Sequence, residues 1–357
     1  MKLIIALLFL MLVGCAGLHS TPPDNYSSTS DPSTIRVPFD QYGDIYPSSP
    51  ETKMPEQKYF GFNHAFSIKN FLENNSHPYN DDLIDQRYSN IATQIVTKAK
   101  RHQGSKIVFL IHGFNNSFEE ASDSYEKIKS FMRLHSKTHF IFVEIYWDGL
   151  YKGPFSFPLP LAYWFDSLTY SNIAGQVGLR RLFNHLPDNS HISIITHSRG
   201  AGVALSALHD PVYDSHIIVP HFEELNPYKI GKVNLISIAP AVGTGHLFSD
   251  MPDNIKQSSQ FFIGFNENDP ALQKSIKKFG VDSRNFGDTS LGTDDLYYLE
   301  IEKKLNKNSK VIQRVKYENY HSHSFDGYIQ NEEKTKCLLW ASELIDENPD
   351  GCQLKKI

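Results

Sequence analysis

The sequence has no long run of basic residues, and its 35 lysines and arginines are outnumbered by 40 aspartates and glutamates. A net charge of -5 leaves no electrostatic footprint for nucleic acid, so a nucleic-acid partner is not expected. Cysteine is scarce, with three in 357 residues, so each has to be read by its place. No internal repeat is visible. The apolar run Leu3 to Val13 is too short for a comfortable permanent span of a bilayer. What is present is core-forming material: 40% hydrophobic residues and 13% aromatics, enough to exclude global disorder. The length fits one large domain or two modest ones.

That apolar run follows Lys2 and ends in Leu12-Val13-Gly14-Cys15, which describes a secretory signal with a small-residue exit. The exit resembles the bacterial lipobox, and the resemblance implies lipidation of Cys15 and a membrane anchor; an ordinary signal peptide with an incidental cysteine is the alternative. By resemblance to the lipoprotein sorting rule, Ala16 after Cys15, rather than an acidic residue, points to the outer membrane of a bacterial envelope. Export also allows Cys337 and Cys352 to close a small loop as a disulfide. Polar, proline-rich stretches such as Ser20-Thr21-Pro22-Pro23 predict a flexible tether over residues 16–58, after a signal peptide over 1–15 and before a folded domain over 59–357.

Continuous apolar runs at Lys106 to Ile111, Phe140 to Ile145, Ile192 to Ile195, Val233 to Ile238 and Phe261 to Phe265 suit strands buried on both faces. Helical spacing lies between them, at Phe118 to Leu134 and Ala174 to Leu186. The alternation predicts an α/β fold with a mostly parallel sheet covered by helices on both sides. Leu296 to Ile301 and Val311 to Tyr317 are further strand candidates, and the aromatic, proline-rich stretch Trp147 to Tyr170 reads as a loop or cap.

The chemistry centres on Ile194-Ile195-Thr196-His197-Ser198-Arg199-Gly200-Ala201-Gly202, a strand, a tight turn and a small-residue helix. A nucleophile elbow has this form, with Ser198 at its apex and the helix N-terminus favouring an oxyanion there. Gly200 supplies the small downstream residue, whereas Thr196 stands where glycine is commonest. Strand Lys106 to Ile111 runs into His112-Gly113-Phe114, where a backbone N–H of Phe114 would pair with that of Arg199 to hold an oxyanion. His112 reads as a brace for that loop. An acid and a histidine must follow the serine. Asp269, just past strand Phe261 to Phe265, is the preferred acid, with Glu267, Asp282 and Asp288 as rivals; it also suits a cap for a helix starting at Pro270. His323 is the preferred base, with His321 as the alternative. A His-x-His pair also suits a metal, but no cysteine or third ligand stands at a metal-site spacing nearby.

These segments resemble an uncharacterised bacterial α/β-hydrolase family whose members are often described as lipoproteins or esterase/lipase-like proteins. The likeness runs from Lys106 to Gly327 and rests on His112-Gly113-Phe114-Asn115-Asn116, Trp147, His197-Ser198-Arg199-Gly200, Asp269-Pro270-Ala271-Leu272 and His323-Ser324-Phe325. Arg199 replaces the more usual methionine, and would either contact an anionic substrate or point outward along the helix; Ser322 stands where glycine is common. The resemblance implies a serine hydrolase of the carboxylic ester class that needs no cofactor. Its substrate would be an ester- or acyl-bearing small molecule or lipid, with Phe155, Phe157, Tyr163, Trp164 and Phe165 as candidates to line an acyl pocket. The alternatives are an acyltransferase, and a non-catalytic envelope lipoprotein that uses the scaffold as a binding module.

Overall fold

The computed structural model of the chain describes residues 22–47, 66–77, 79–149, 167–209, 223–243, 255, 258–272, 312–318, 320–352 and 354–356. Seven parallel strands make the core: β1 (Thr34–Phe39), β2 (Lys106–Ile111), β3 (Phe140–Trp147), β4 (Ser190–His197), β5 (Ile230–Ile238), β6 (Ser259–Phe265) and β7 (Ile312–Lys316). A two-residue strand, β8 (Lys355–Lys356), pairs antiparallel with β7, and the sheet order is β1-β3-β2-β4-β5-β6-β7-β8. The continuous apolar runs become the central strands because helices cover both faces and leave no side to alternate toward water. The helices are α1 (Ile68–Asn74), α2 (Asp81–Lys100), α3 (Phe118–His135), α4 (167–184), α5 (Gly200–Leu208), α6 (Phe325–Gln330) and α7 (Glu332–Ala341).

The expected tether does not extend to residue 58. Thr34–Phe39 is a sheet strand, paired in register with Phe142–Trp147, and Val37 and Phe39 are buried. The composition hid it because an edge strand can carry a proline: Pro38 lacks the N–H that a central strand would need. The segments 1–21 and 48–65, including Cys15, lie outside the described residues.

β1 is fastened by buried charge. Lys129 of α3 and Glu144 of β3 are both fully buried, 2.6 Å apart. Glu144 also accepts from Arg36 Nε at 3.0 Å and from the Tyr146 hydroxyl at 2.6 Å, so one carboxylate joins β1, β3 and α3. The start of α3 is closed by a capping box, with the Ser117 hydroxyl accepting from Glu120 N–H at 3.2 Å and the Glu120 carboxylate from Ser117 N–H at 2.9 Å.

Two features set the site. The connection from β2 leads to one side of the sheet, to β3, and the connection from β4 leads to the other, to β5. The carboxyl ends of β2 and β4 therefore form a topological switch point, where the loops part and leave a crevice. α5 descends from that crevice fully buried, and its last carbonyls are met by Arg180 of α4, whose Nη2 donates to Ser206 O at 2.7 Å and His209 O at 2.8 Å. A cation on the C-terminal carbonyls offsets the helix dipole and satisfies acceptors that the helix itself leaves open. The middle of α4, Ala174–Leu179, is π-helical rather than the plain helix its spacing suggests.

Cys337 and Cys352 are joined by a disulfide across Cα atoms 5.3 Å apart. Closing a loop of this length contributes about 3 kcal/mol in the chain-entropy account. No helix among the described residues is long and apolar enough to cross a membrane.

Candidate active site

Ser198 leaves β4 with φ of 53°, a left-handed conformation that strains a residue bearing a Cβ. Backbone bonds hold it there: Ser198 N–H donates to Ile238 O at 3.1 Å, and Ala241 N–H to Ser198 O at 3.0 Å. Arg199 adds a clamp. Its side chain is fully buried and its Nη1 donates to Ala241 O at 2.5 Å, which ties the turn to the loop after β5. The arginine therefore neither points outward along the helix nor lies among the described residues of the cleft beside Ser198.

The two positions flanking the serine have opposite demands. A Cβ at Gly200 would sit 2.5 Å from His112 O and 2.6 Å from Ile111 O, so only glycine lets α5 start against β2. Thr196 is tolerated because its hydroxyl turns to β5 and donates to Ser237 Oγ at 2.9 Å.

Three side chains from three strand ends meet here. His323 Nε2 lies 2.8 Å from Ser198 Oγ, and His323 Nδ1 lies 2.7 Å from Asp269 Oδ2. Asp269 is fully buried, yet it fills both roles open to it from sequence. Oδ1 caps the following turn by accepting from Ala271 N–H at 2.9 Å and Leu272 N–H at 3.2 Å, while Oδ2 faces the imidazole. Burial pushes this carboxyl up, but the hydrogen bond and charge of His323, with the bonds from Tyr328 and Leu272, outweigh it and hold it below its ordinary value. The carboxylate is thus ionised at neutral pH. Of the rivals, Glu267 pairs with Lys316 at 2.7 Å, and Asp282 and Asp288 lie outside the described residues. His321 is exposed and has no described contact with Ser198 or Asp269.

Tyr328 is the residue that sequence reasoning missed. Its hydroxyl donates to Asp269 Oδ2 at 2.6 Å, and Asn266 Nδ2 donates to that hydroxyl at 3.2 Å. Burial, with the neighbouring Asp269 charge, raises the phenol well above its ordinary value and keeps it a neutral donor. Only its place in the first turns after the late histidine could have signalled it.

The loop after β2 is braced by His112. Trp147 N–H donates to His112 Nε2 at 3.2 Å, so the ring proton belongs on Nδ1, which meets Gly113 O at 2.8 Å. Asn116 Nδ2 donates to the same carbonyl at 3.2 Å. Because the peptide is planar and trans, pinning Gly113 C=O fixes the Phe114 N–H in the opposite direction. A Cβ at Gly113 would lie 2.9 Å from the Ser198 Cβ, so glycine lets this backbone close on the serine. Phe114, Ser198 and His323 line one cleft of about 530 Å³. Its rim continues along α3 and α6 through Asp123, Lys127 and Asp326. Among the described residues no group of three or more histidines, cysteines, aspartates or glutamates is placed to hold a metal ion. The aromatic candidates Phe155, Phe157, Tyr163, Trp164 and Phe165 lie outside the described residues.

Two further histidines are neutral parts of the wall. Burial pushes His112 down to about 4. Burial, with the charge of His323, pushes His197 down to about 3, its ring 4.9 Å from that of His323. Both imidazoles bind protons in the unfolded chain below about pH 6.5 but not in the folded one, so stability falls as pH falls. Together they are expected to remove roughly 3 kcal/mol between pH 6.5 and 5. Urea midpoints at pH 7 and pH 5 measure this, and equal midpoints would contradict the buried, neutral assignment.

No curated protein matches the chain. A 2.75 Å crystal structure of an uncharacterized protein from Bacillus cereus ATCC 10987 is similar at 12% identity and a TM-score of 0.33, over 76% of this chain and 79% of that one. Residues 88–288, more than half of the chain, match the family described as alpha/beta hydrolase of unknown function (DUF900), and the chain belongs to that family.

Proposed function

We propose that this α/β-hydrolase is a serine esterase that cleaves a carboxylic ester or thioester through an acyl-enzyme on Ser198. The observation that carries the reading is the hydrogen-bonded chain from Ser198 Oγ through both nitrogens of His323 to a buried, ionised Asp269. Ser198 Oγ attacks the carbonyl carbon while His323 Nε2 takes its proton. The tetrahedral oxyanion rests on the N–H groups of Phe114 and Arg199. Its collapse breaks the bond to the leaving alkoxide or thiolate, which takes the proton from His323. Water then attacks the acyl-enzyme with His323 again as base, releasing the acid and restoring Ser198. Asp269 orients the imidazole and stabilises its charged form; Tyr328 shares the load on the carboxylate.

Thr196, Arg199 and Ser322, the departures from the family pattern on which a binding-module reading rests, each have a local bonding role instead: Thr196 bonds to Ser237, Arg199 bonds to Ala241 O, and Ser322 Oγ accepts from Ser324 N–H at 3.2 Å. No described feature favours an acyl acceptor other than water. In this reading the chain is anchored by lipid at Cys15 to the envelope, at the outer membrane, where it meets an acyl-bearing small molecule or lipid. A panel of p-nitrophenyl acetate, butyrate and octanoate tests the activity. Turnover of at least one ester that falls by about 10⁴-fold or more in Ser198→Ala is expected. Turnover that survives the substitution would reject Ser198 as nucleophile.

A further inference from the structure

The carboxylate that orients His323 is divided between two donors. Asp269 Oδ1 is taken up by the backbone N–H groups of Ala271 and Leu272, so only Oδ2 faces the imidazole. The same Oδ2 accepts from the Tyr328 hydroxyl at 2.6 Å, as close as His323 Nδ1 at 2.7 Å. The phenol is fixed in place. Its ring is fully buried and packs edge-on against Tyr317 and Tyr320, with centroids 4.9 and 4.7 Å away. Asn266 Nδ2 donates to its oxygen at 3.2 Å and to Tyr320 O at 2.8 Å, and Asn266 O accepts from Asp269 N–H at 3.2 Å. One asparagine past the end of β6 therefore ties the acid turn both to the phenol and to the loop that carries the histidine.

An imidazolium is stabilised by the charge on the oxygen it faces. A second donor on that oxygen draws off part of the charge, so a divided carboxylate holds an imidazolium less firmly than an undivided one. This matters for a general base, because only the neutral ring can take the proton from Ser198 Oγ. We propose that Tyr328 is a positioning residue that, by sharing Asp269 Oδ2, limits how strongly the carboxylate draws a proton onto His323 and so keeps the imidazole available as a base to lower pH. Its catalytic meaning rests on the esterase reading; the shared bond itself does not.

Other titratable groups surround the pair. His197, at the end of β4, is a neutral ring 4.9 Å from that of His323. Across the cleft, Lys127 of α3 is paired with Asp326 of α6, and Glu120 and Asp123 stand on the α3 rim. All are retained when only the Tyr328 hydroxyl is removed, so their contributions cancel in a comparison of variants. Tyr328→Phe keeps the ring in its packing and leaves the bond from Asn266 to Tyr320 O in place.

The experiment is an NMR titration of the purified full chain labelled at histidine Cε1, with the His323 signal identified by its absence in His323→Asn. In Tyr328→Phe the His323 titration midpoint is expected to rise by about 0.5–1 pH unit, a roughly three- to tenfold gain in proton affinity. The acid limb of kcat/KM for a p-nitrophenyl ester is expected to move up by the same amount. Tyr317→Phe is the control: it removes a buried phenol from the same aromatic cluster, but one that meets Thr335 Oγ1 at 3.1 Å, and it is expected to leave the midpoint within about 0.2 unit. A merely structural role for Tyr328 would lower the rate at every pH and leave the midpoint where it is. A midpoint that stays or falls in Tyr328→Phe, or an equal rise in Tyr317→Phe, would overturn the proposal. Absence of ester turnover in the wild type would count against the esterase reading instead, and the titration would still decide the role of Tyr328.

Discussion

Replacing His323 with alanine is expected to lower ester turnover by about 10⁴-fold or more, while His321→Ala leaves it within about twofold. The contrast follows from geometry rather than from residue type. Both histidines sit in the loop between β7 and α6, but only His323 reaches Ser198 Oγ, at 2.8 Å, and Asp269, at 2.7 Å. Without an imidazole at that position the serine hydroxyl keeps its proton, and the leaving group has no acid to receive it from. Asp269 and Tyr328 would remain hydrogen-bonded to each other, so the loss is one of chemistry with the fold retained. Initial rates for the two variants, beside circular dichroism to show that each is folded, measure the difference. Equal losses, or a larger loss in His321→Ala, would reassign the base.

Lys129→Met is expected to destabilise the protein by about 3–5 kcal/mol, the largest single effect on folding that the described residues suggest. The ammonium is fully buried and serves Glu144 at 2.6 Å, Glu126 at 2.5 Å and the Thr34 hydroxyl at 3.2 Å. Its removal leaves Glu144 buried with one cation, Arg36, in place of two. A buried carboxylate that loses its counter-charge pays far more than the pair gained by forming. The double variant Lys129→Met with Glu144→Leu is therefore expected to be more stable than Lys129→Met alone, since it removes the stranded charge too. Denaturant midpoints of the wild type and the two variants check both statements. A single variant within about 1 kcal/mol of wild type would show that the charge cluster is open to water.

What could be read in the sequence depended on how local the signal was. The central strands were legible because burial on both faces turns each into an unbroken apolar run, as in Lys106–Ile111. β1 was not, because it is an edge strand that tolerates Pro38 and sits in a polar stretch. Ser198 and Gly200 lie within one turn, and the order serine, acid, histidine singled out Asp269 and His323 from a small set of candidates. Tyr328 and the Arg199–Ala241 clamp were illegible because each arises from elements that meet only after folding. Glu144 carried a faint signal, as the lone charge inside Phe140–Trp147, but nothing local pointed to Lys129 as its partner.

The central claim is that the elbow makes Ser198 an activated nucleophile. Incubating the purified chain with a fluorophosphonate probe, then mapping the labelled peptide, tests this without knowledge of the substrate. The account predicts covalent phosphonylation at Ser198 in the wild type and its disappearance in Ser198→Ala. A folded wild-type protein that takes up no probe, or takes it up equally in the alanine variant, would contradict it.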